Sequence, residues 1–413
     1  MIPADPCEKV FQVQHAPPVT NTESSARIAL LVDPLTLAVK GGDHAPQLAR
    51  ELLGKGYTVR GFGAPPGAIP RSGADGAELA AAEGGGPRAF RPDVLIAYDA
   101  LSPAAWLGAR TARRMGAALV LVEVGVDPAD ARLHERALYG LGSRLWGRTV
   151  RQTADAVVAL DPVARERALA EGFDAERVTV IPRGVDLGVF RPGLASALVG
   201  LHRIRGRILL YVGRMEENRG VQTLIEAFAQ TVGQRTDWTL VLAGEGTKRE
   251  SLKAMAHRLG IAGNVQWLPR PRPEELPGLM GASTLLAVPA LDDSVLGKQV
   301  PRAMAAGLPV LASDLGRLAH LVEDGATGLL AQPGRLDSWT DVIRRASSAP
   351  QARKRWGDEA RRRAETELCW EVVAGRFEAL IRRARQSAAE RQRQKDKRKP
   401  NSVPDETPDP ESA

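Results

Sequence analysis

At 413 residues, with 44% apolar residues and only 4% aromatic ones, the chain is long enough for two domains with their own cores. Its net charge of +7 is modest; nine basic residues fall between Arg382 and Lys399 with almost no aromatic residue among them, which argues against a base-stacking nucleic-acid binder. Two cysteines, Cys7 and Cys369, and six scattered histidines form neither a disulfide framework nor a metal spacing, and no apolar run approaches the ~18 residues of a membrane-spanning helix, so a reducing, cytoplasmic setting is expected.

Residues 1–26 lack the basic start and apolar core of a signal peptide and read as a disordered leader. Order is expected from residue 27. A strand over 28–32 leads through a turn holding Gly41 and Gly42 into a helix over 45–53. Those glycines permit close backbone approach to a ligand, or serve only a turn that needs positive φ. Strands follow over 57–61, 93–97 and 118–124, with a Gly/Pro/Ala-rich segment over 65–87 and a helix over 102–115. Residues 131–151 are basic and amphipathic: Leu133, Ala137, Leu141 and Leu145 repeat four apart among Arg132, Arg136, Arg144, Arg148 and Arg151. They read first as a helix with one buried and one solvated face, the alternative being a helix on a membrane surface. Strands over 156–160 and 178–181 close a first domain of residues 27–190.

A linker over 191–206, with Pro192 and Gly193, precedes a second α/β unit over 207–365. Its strands are expected at 208–212, 239–243, 265–268, 284–288, 309–312 and 328–331. A helix over 366–385 ends the fold, and the charged residues 386–413 read as disordered. Strands alternating with helices in both halves mean two parallel sheets, each covered by helices.

The most informative stretch is 207–230. An apolar strand runs into a polar loop that begins at Gly213 and carries Arg214 and Arg219; Val221, Leu224, Ile225 and Phe228 then mark one helix face. Backbone N–H groups, the positive end of a helix dipole and two guanidiniums together suit a phosphate or diphosphate ester. An ordinary β–α connection with solvated arginines fits the stretch equally well.

Motifs in order along the chain break that tie. VIPRGVDLGVFRP (180–192), YVGRMEENRGVQTLIEAF (211–228), LAGEGTKRESL (242–252), RAMAAGLPVLASDLGRLAHLVEDGATGLL (302–330) and CWEVVAGRFEALI (369–381) resemble the family-four glycosyltransferases, a retaining, nucleotide-sugar-dependent group. The resemblance covers residues 27 to 385. It implies the glycosyltransferase-B fold: two tandem Rossmann-like domains, a deep cleft between them, and a last helix crossing back to the first domain. It also implies that Arg214 and Arg219, the latter where the family has lysine, hold the donor diphosphate beside Gly213. The cleft would be lined by Gly41, Gly42, Gly244, Glu245, Ser294, Leu296, Gly297, Lys298 and Arg302. The implied donor is a nucleotide sugar used as substrate. No cofactor or metal is implied, and the acceptor is an unspecified glycan, lipid or small molecule, with peripheral membrane contact.

The sequence departs from the family where sugar and ribose are recognised. The two signature glutamates fall on Ser294 and Arg302, and a guanidinium cannot accept hydrogen bonds from ribose hydroxyls. Asp292 and Asp293 lie next door. The family histidine falls on Gly125, a second-domain glutamate on His320, and the asparagine of the I-P-x-G-V-D run on Arg183. No catalytic base is assigned. A catalytically impaired scaffold partnering an active enzyme is the alternative; an epimerase or phosphorylase would need acid/base residues for which no motif is present.

Overall fold

The computed structural model describes residues 26–32, 44–62, 86–100, 102–124, 145–295 and 297–397. The first half forms a six-stranded sheet from β1 (Arg27–Leu31), β2 (Thr58–Phe62), β3 (Val94–Tyr98), β4 (Ala118–Glu123), β5 (Ala156–Ala159) and β6 (Val178–Val180). The order is β2-β1-β3-β4-β5-β6 and every pairing is parallel. The inner strands are aliphatic and buried along their whole length because helices cover both faces, so they lack the alternation of a half-exposed strand. The helices are α1 (His44–Gly54), α2 (Gly86–Phe90), α3 (Pro103–Met115), α4 (Gly147–Thr153) and α5 (Pro162–Ala170). Ser102 and Asp161 cap α3 and α5 by accepting the backbone N–H groups of Ala105 and Ala164, and a proline follows each cap where its missing N–H costs nothing.

After a short α6 (Ala197–Leu201), the second half builds its sheet from β7 (Arg207–Val212), β8 (Trp238–Ala243), β9 (Val265–Leu268), β10 (Leu285–Val288), β11 (Val310–Ser313) and β12 (Gly328–Ala331). The order is β12-β11-β10-β7-β8-β9, again all parallel. Its helices are α7 (Val221–Thr231), α8 (Arg249–Arg258), α9 (Leu276–Gly281), α10 (Gln299–Ala305), α11 (Gly316–Ala319), α12 (Leu336–Ser348) and α13 (Pro350–Arg363). On α7 the buried residues are Val221, Leu224, Ile225, Ala227 and Phe228, the face read from the spacing.

The two halves are joined twice, and the crossings lie side by side. Val185 N–H donates to Leu368 O at 2.8 Å, and Trp370 N–H donates to Val185 O at 3.3 Å. A π-helical turn (Ala364–Leu368) lets the chain leave α13 there and start α14 (Trp370–Lys397). Gly184 is needed at this point, since a Cβ would lie 2.3 Å from the Trp370 ring. From α14, Trp370, Val373, Phe377, Leu380, Ile381, Ala384 and Ala388 enter the core of the first sheet. The helix corrects the expectation of disorder from residue 386: it runs to Lys397, because Ala388 is buried and Arg391 pairs with Asp155 and donates to Thr153 O and Ala117 O. The amphipathic reading of 131–151 lies outside the described residues as far as residue 144. Within the remainder α4 begins at Gly147, and Leu145 is 67% exposed.

Candidate functional site

Strand order in the second sheet reverses between β7 and β10, which are neighbours in space. Loops leaving the carboxyl ends of strands at such a point diverge and open a crevice. Here they are residues 213–220 after β7 and, among the described residues, 289–295 and 297–298 after β10. Asn218 Nδ2 donates to Ser294 Oγ at 2.8 Å and Leu291 N–H donates to Asn218 O at 3.0 Å, tying the loops together. Gly220 makes this approach feasible: its φ is +65°, and a Cβ would fall 1.7 Å from Pro289 O.

The loop after β8 closes on the other side. Gly213 N–H donates to Ala243 O (3.1 Å), Met215 N–H to Glu245 O (2.8 Å), and Lys248 N–H to Met215 O (3.0 Å). A Cβ at Gly244 would lie 1.9 Å from Gly213 O, and one at Gly246 2.3 Å from Met215 O. Backbone therefore lies directly on backbone along 213–215 and 244–246. Beneath it the Tyr211 hydroxyl donates to Arg214 O at 2.5 Å; burial pushes this hydroxyl above its ordinary range, which keeps it a donor.

Onto this floor project cations. The Arg214 side chain is 74% exposed and touches Glu216 at 3.1 Å, an exposed pair worth about 0–1 kcal/mol and readily exchanged for a phosphate. Glu216 also accepts the Thr247 hydroxyl at 2.6 Å; that bond first, then Arg214, holds its carboxyl below the usual range. Arg219 is half-buried, and its Nε makes no hydrogen bond. Lys248 pairs with Glu217 at the edge of the same floor. The first N–H groups of α7 lack intrahelical partners by construction and add positive potential.

The first domain meets this region where its α5 packs against α11 of the second. Arg317 on α11 lies 3.6 Å from Asp161, the cap of α5. Arg317 N–H donates to Asp293 Oδ1 at 3.1 Å, and Asp292 Oδ1 accepts Ser294 N–H at 2.9 Å. Leu160, Asp161, Arg183, Gly297, Arg317 and His320 line a pocket between the domains. Burial pushes the Asp161 carboxyl up, against the opposing pull of Arg317 and Arg183. Burial, then Arg363, pushes the His320 imidazole down towards its neutral form.

The structure thus brings Gly213, Arg214, Arg219, Gly244, Glu245 and Ser294 together. Gly297, buried at φ +59°, lines the interdomain pocket instead, and Lys298 immediately precedes α10. The half-buried Arg302 lies over Phe190, its guanidinium carbon 5.6 Å from the ring centroid, and Nη1 donates to Gln299 at 3.4 Å. This packs α10 against the segment leading out of the first domain. Gly41, Gly42, Gly125 and Leu296 lie outside the described residues. Sequence reasoning missed Tyr211, Asn218, Thr247, Asp161 and Arg317. Tyr211, Asn218, Thr247 and Arg317 stood inside quoted motifs, whereas Asp161 lay outside them and its meeting with Arg317 has no local signal.

Residues 26–184 match the family described as Glycosyl transferase 4-like domain, and residues 201–363 match Glycosyl transferases group 1. The D-inositol 3-phosphate glycosyltransferase of Rhodococcus jostii is 31% identical over 258 residues, 60% of this chain and 54% of that protein. The Nocardia farcinica protein of the same name is 36% identical over 226 residues, 52% of this chain and 48% of its own. The chain spans about half the length of the curated relatives it matches. Among solved structures, a glycosyltransferase from Rickettsia africae superposes with a TM-score of 0.72 at 15% identity, covering 87% of this chain and 98% of that one. Anabaena HepE in complex with UDP gives 0.63 at 19% identity, covering 89% and 100%. The sheet orders and the return helix are thus those of a shared two-domain fold, and the two family matches together take in most of the sequence: the chain belongs to the group 1 glycosyl transferases of the glycosyltransferase-B fold.

Proposed function

We propose that this protein transfers a sugar from a nucleoside diphosphate donor to a hydroxyl acceptor, with retention and without a resident metal. The observation that carries the reading is the floor of loops 213–220, 244–248 and 289–294, with Arg214 presented to solvent beside Arg219 at the switch point of the second sheet. Negative charge grows on the leaving phosphate in the transition state; fixed guanidiniums and backbone N–H groups stabilise it without reorganisation. Arg214 and Arg219 take that role, and Arg219 replaces a point charge with a forked donor. In retaining chemistry of this type the departing phosphate oxygen accepts the acceptor's proton on the same face, so no protein base is required. HepE has been crystallised with UDP and with UDP-glucose, which supports a uridine diphosphate sugar as the first donor class to try.

The acceptor is a glycan, lipid or small molecule bearing a free hydroxyl. The relatives' name supports phosphorylated polyols as the first small molecules to test. A cytoplasmic location with peripheral membrane contact completes the reading. Its support is the exposed Leu107, Arg110, Arg113 and Arg114 of α3, with exposed Leu145 just before α4 and exposed Arg148 on it, and no acidic residue in either helix. Co-sedimentation with anionic but not neutral vesicles is expected, and equal indifference to both would remove this contact.

A thermal-shift screen against UDP, GDP and ADP, followed by donor turnover on any hit and NMR of the product anomer, tests the core reading. Stabilisation by one nucleotide and a product that keeps the donor's configuration are expected. Binding of none would favour the scaffold alternative, and an inverted anomer would sink retention.

A further inference from the structure

We propose that Asp161 and Arg317 form an interdomain clamp that holds the cleft closed and positions the loop 292–294 for donor binding. The clamp is read from the contacts alone; its link to the donor rests on the nucleotide-sugar reading above. Arg317 is only 3% exposed, and the carboxylate facing it comes from the other domain. Asp161 serves two partners at once: Oδ1 accepts the Ala164 N–H of its own helix at 2.7 Å, while Oδ2 faces Arg317. The helices behind the pair fit closely, since a Cβ at Gly316 would lie 3.0 Å from Val163 Cγ2.

The pair is wired in two directions. Towards the donor floor, Arg317 N–H holds Asp293, and the adjacent Ser294 accepts from Asn218 of the loop that carries Arg219. Towards the crossing, Arg363 at the end of α13 donates to His320 O and Leu321 O, at 3.0 and 2.9 Å, directly after α11. Arg183, two residues before the Val185–Cys369 bridge, lines the same pocket. Because the clamp stands beside the crossing, slight slackening there swings the far rims of the domains widely. Removing either group weakens the charge pairing across the interface while the other stays buried, which favours separation of the surfaces, where water can solvate the one that remains.

The test uses the full chain with spin labels at Ala170 and Glu250, exposed positions in different domains. Asp161→Asn is the clean variant, because asparagine caps a helix as well as aspartate and only the charge is lost. Arg317→Met approaches the pair from the other side, so a folding defect in one variant leaves the other to decide. Without nucleotide, both are expected to move the interlabel distance to longer values, with the double variant no more open than either single. If only the closed form binds, a fall of its population to about a tenth weakens apparent UDP affinity about tenfold. Saturating UDP is expected to restore the wild-type distance, and saturating donor sugar nucleotide the wild-type kcat, which a generally damaged site would not do. Unchanged distances in both folded variants would overturn the clamp. Failure of wild-type protein to bind UDP would count against the nucleotide reading, while the distances without nucleotide still decide the clamp.

Discussion

Asn218 reaches across the switch point of the second sheet and donates to Ser294 at 2.8 Å. The residue standing at the first signature-glutamate position is thus held by the loop that carries Arg214 and Arg219. Ser294→Ala removes the acceptor of a half-buried amide, which costs about 1 kcal/mol. Its larger expected effect is on the donor: a several-fold rise in KM for the sugar nucleotide with UDP affinity changed much less. Equal losses for both ligands would show that Ser294 only braces the loop.

Gly244→Ala tests the backbone contact that builds the floor. The new Cβ would sit 1.9 Å from Gly213 O at a φ of +153°, so the two loops must separate. A loss of about 3 kcal/mol is expected, together with loss of nucleotide binding. Chemical denaturation and calorimetry read the two effects. Wild-type stability would mean that the loops do not meet as described.

Glu123 ends β4, buried beside Asp99 with Arg167 and Glu171 nearby. Burial first, then the Asp99 and Glu171 charges, raises its carboxyl from 4.5 to about 7. The folded state therefore holds this proton more tightly than the unfolded one. Its stabilising effect is fully present below the unfolded value and is lost as pH rises towards 7, a swing of about 3 kcal/mol. Glu123→Gln, which cannot ionise, is expected to raise Tm relative to wild type at pH 8 and to leave it nearly unchanged at pH 5. A difference independent of pH would contradict the assignment.

The fully buried Asp155 carboxylate accepts the Leu119 N–H at 2.9 Å, and Arg391→Ala removes the guanidinium paired with it. Because Arg391 is itself about a third exposed, the expected cost is about 2 kcal/mol rather than that of a fully buried pair. Truncation after residue 385, which also removes the buried Ala388, is expected to cost more. A truncated chain as stable as the full one would show that residues 386–397 do not brace the first domain.

The return helix shows where sequence reading stops. Its first half is legible because Val373, Phe377, Leu380 and Ile381 keep helical spacing, whereas residues 386–397 are almost entirely polar. Their order comes from docking: Ala388 is buried, and Arg391 reaches Asp155, more than two hundred residues away. The strands were legible because double burial makes them continuous aliphatic runs. The packing of loops 213–220 and 244–248 was legible through their glycines and arginines, which cluster along the chain. The Asp161–Arg317 pair was not, since each residue is ordinary in its own segment and only the approach of two domains makes them neighbours. Arg302 illustrates the converse: its place in a family motif suggested the ribose pocket, and its guanidinium lies over Phe190.

Calorimetric titration of UDP into the wild type, Arg214→Ala and Arg219→Ala tests the diphosphate site most directly. The account predicts saturable binding by the wild type and a loss of about 2 kcal/mol or more, roughly thirtyfold, in each variant, as expected for a charge-assisted hydrogen bond to phosphate. Unchanged affinity in both variants would contradict it.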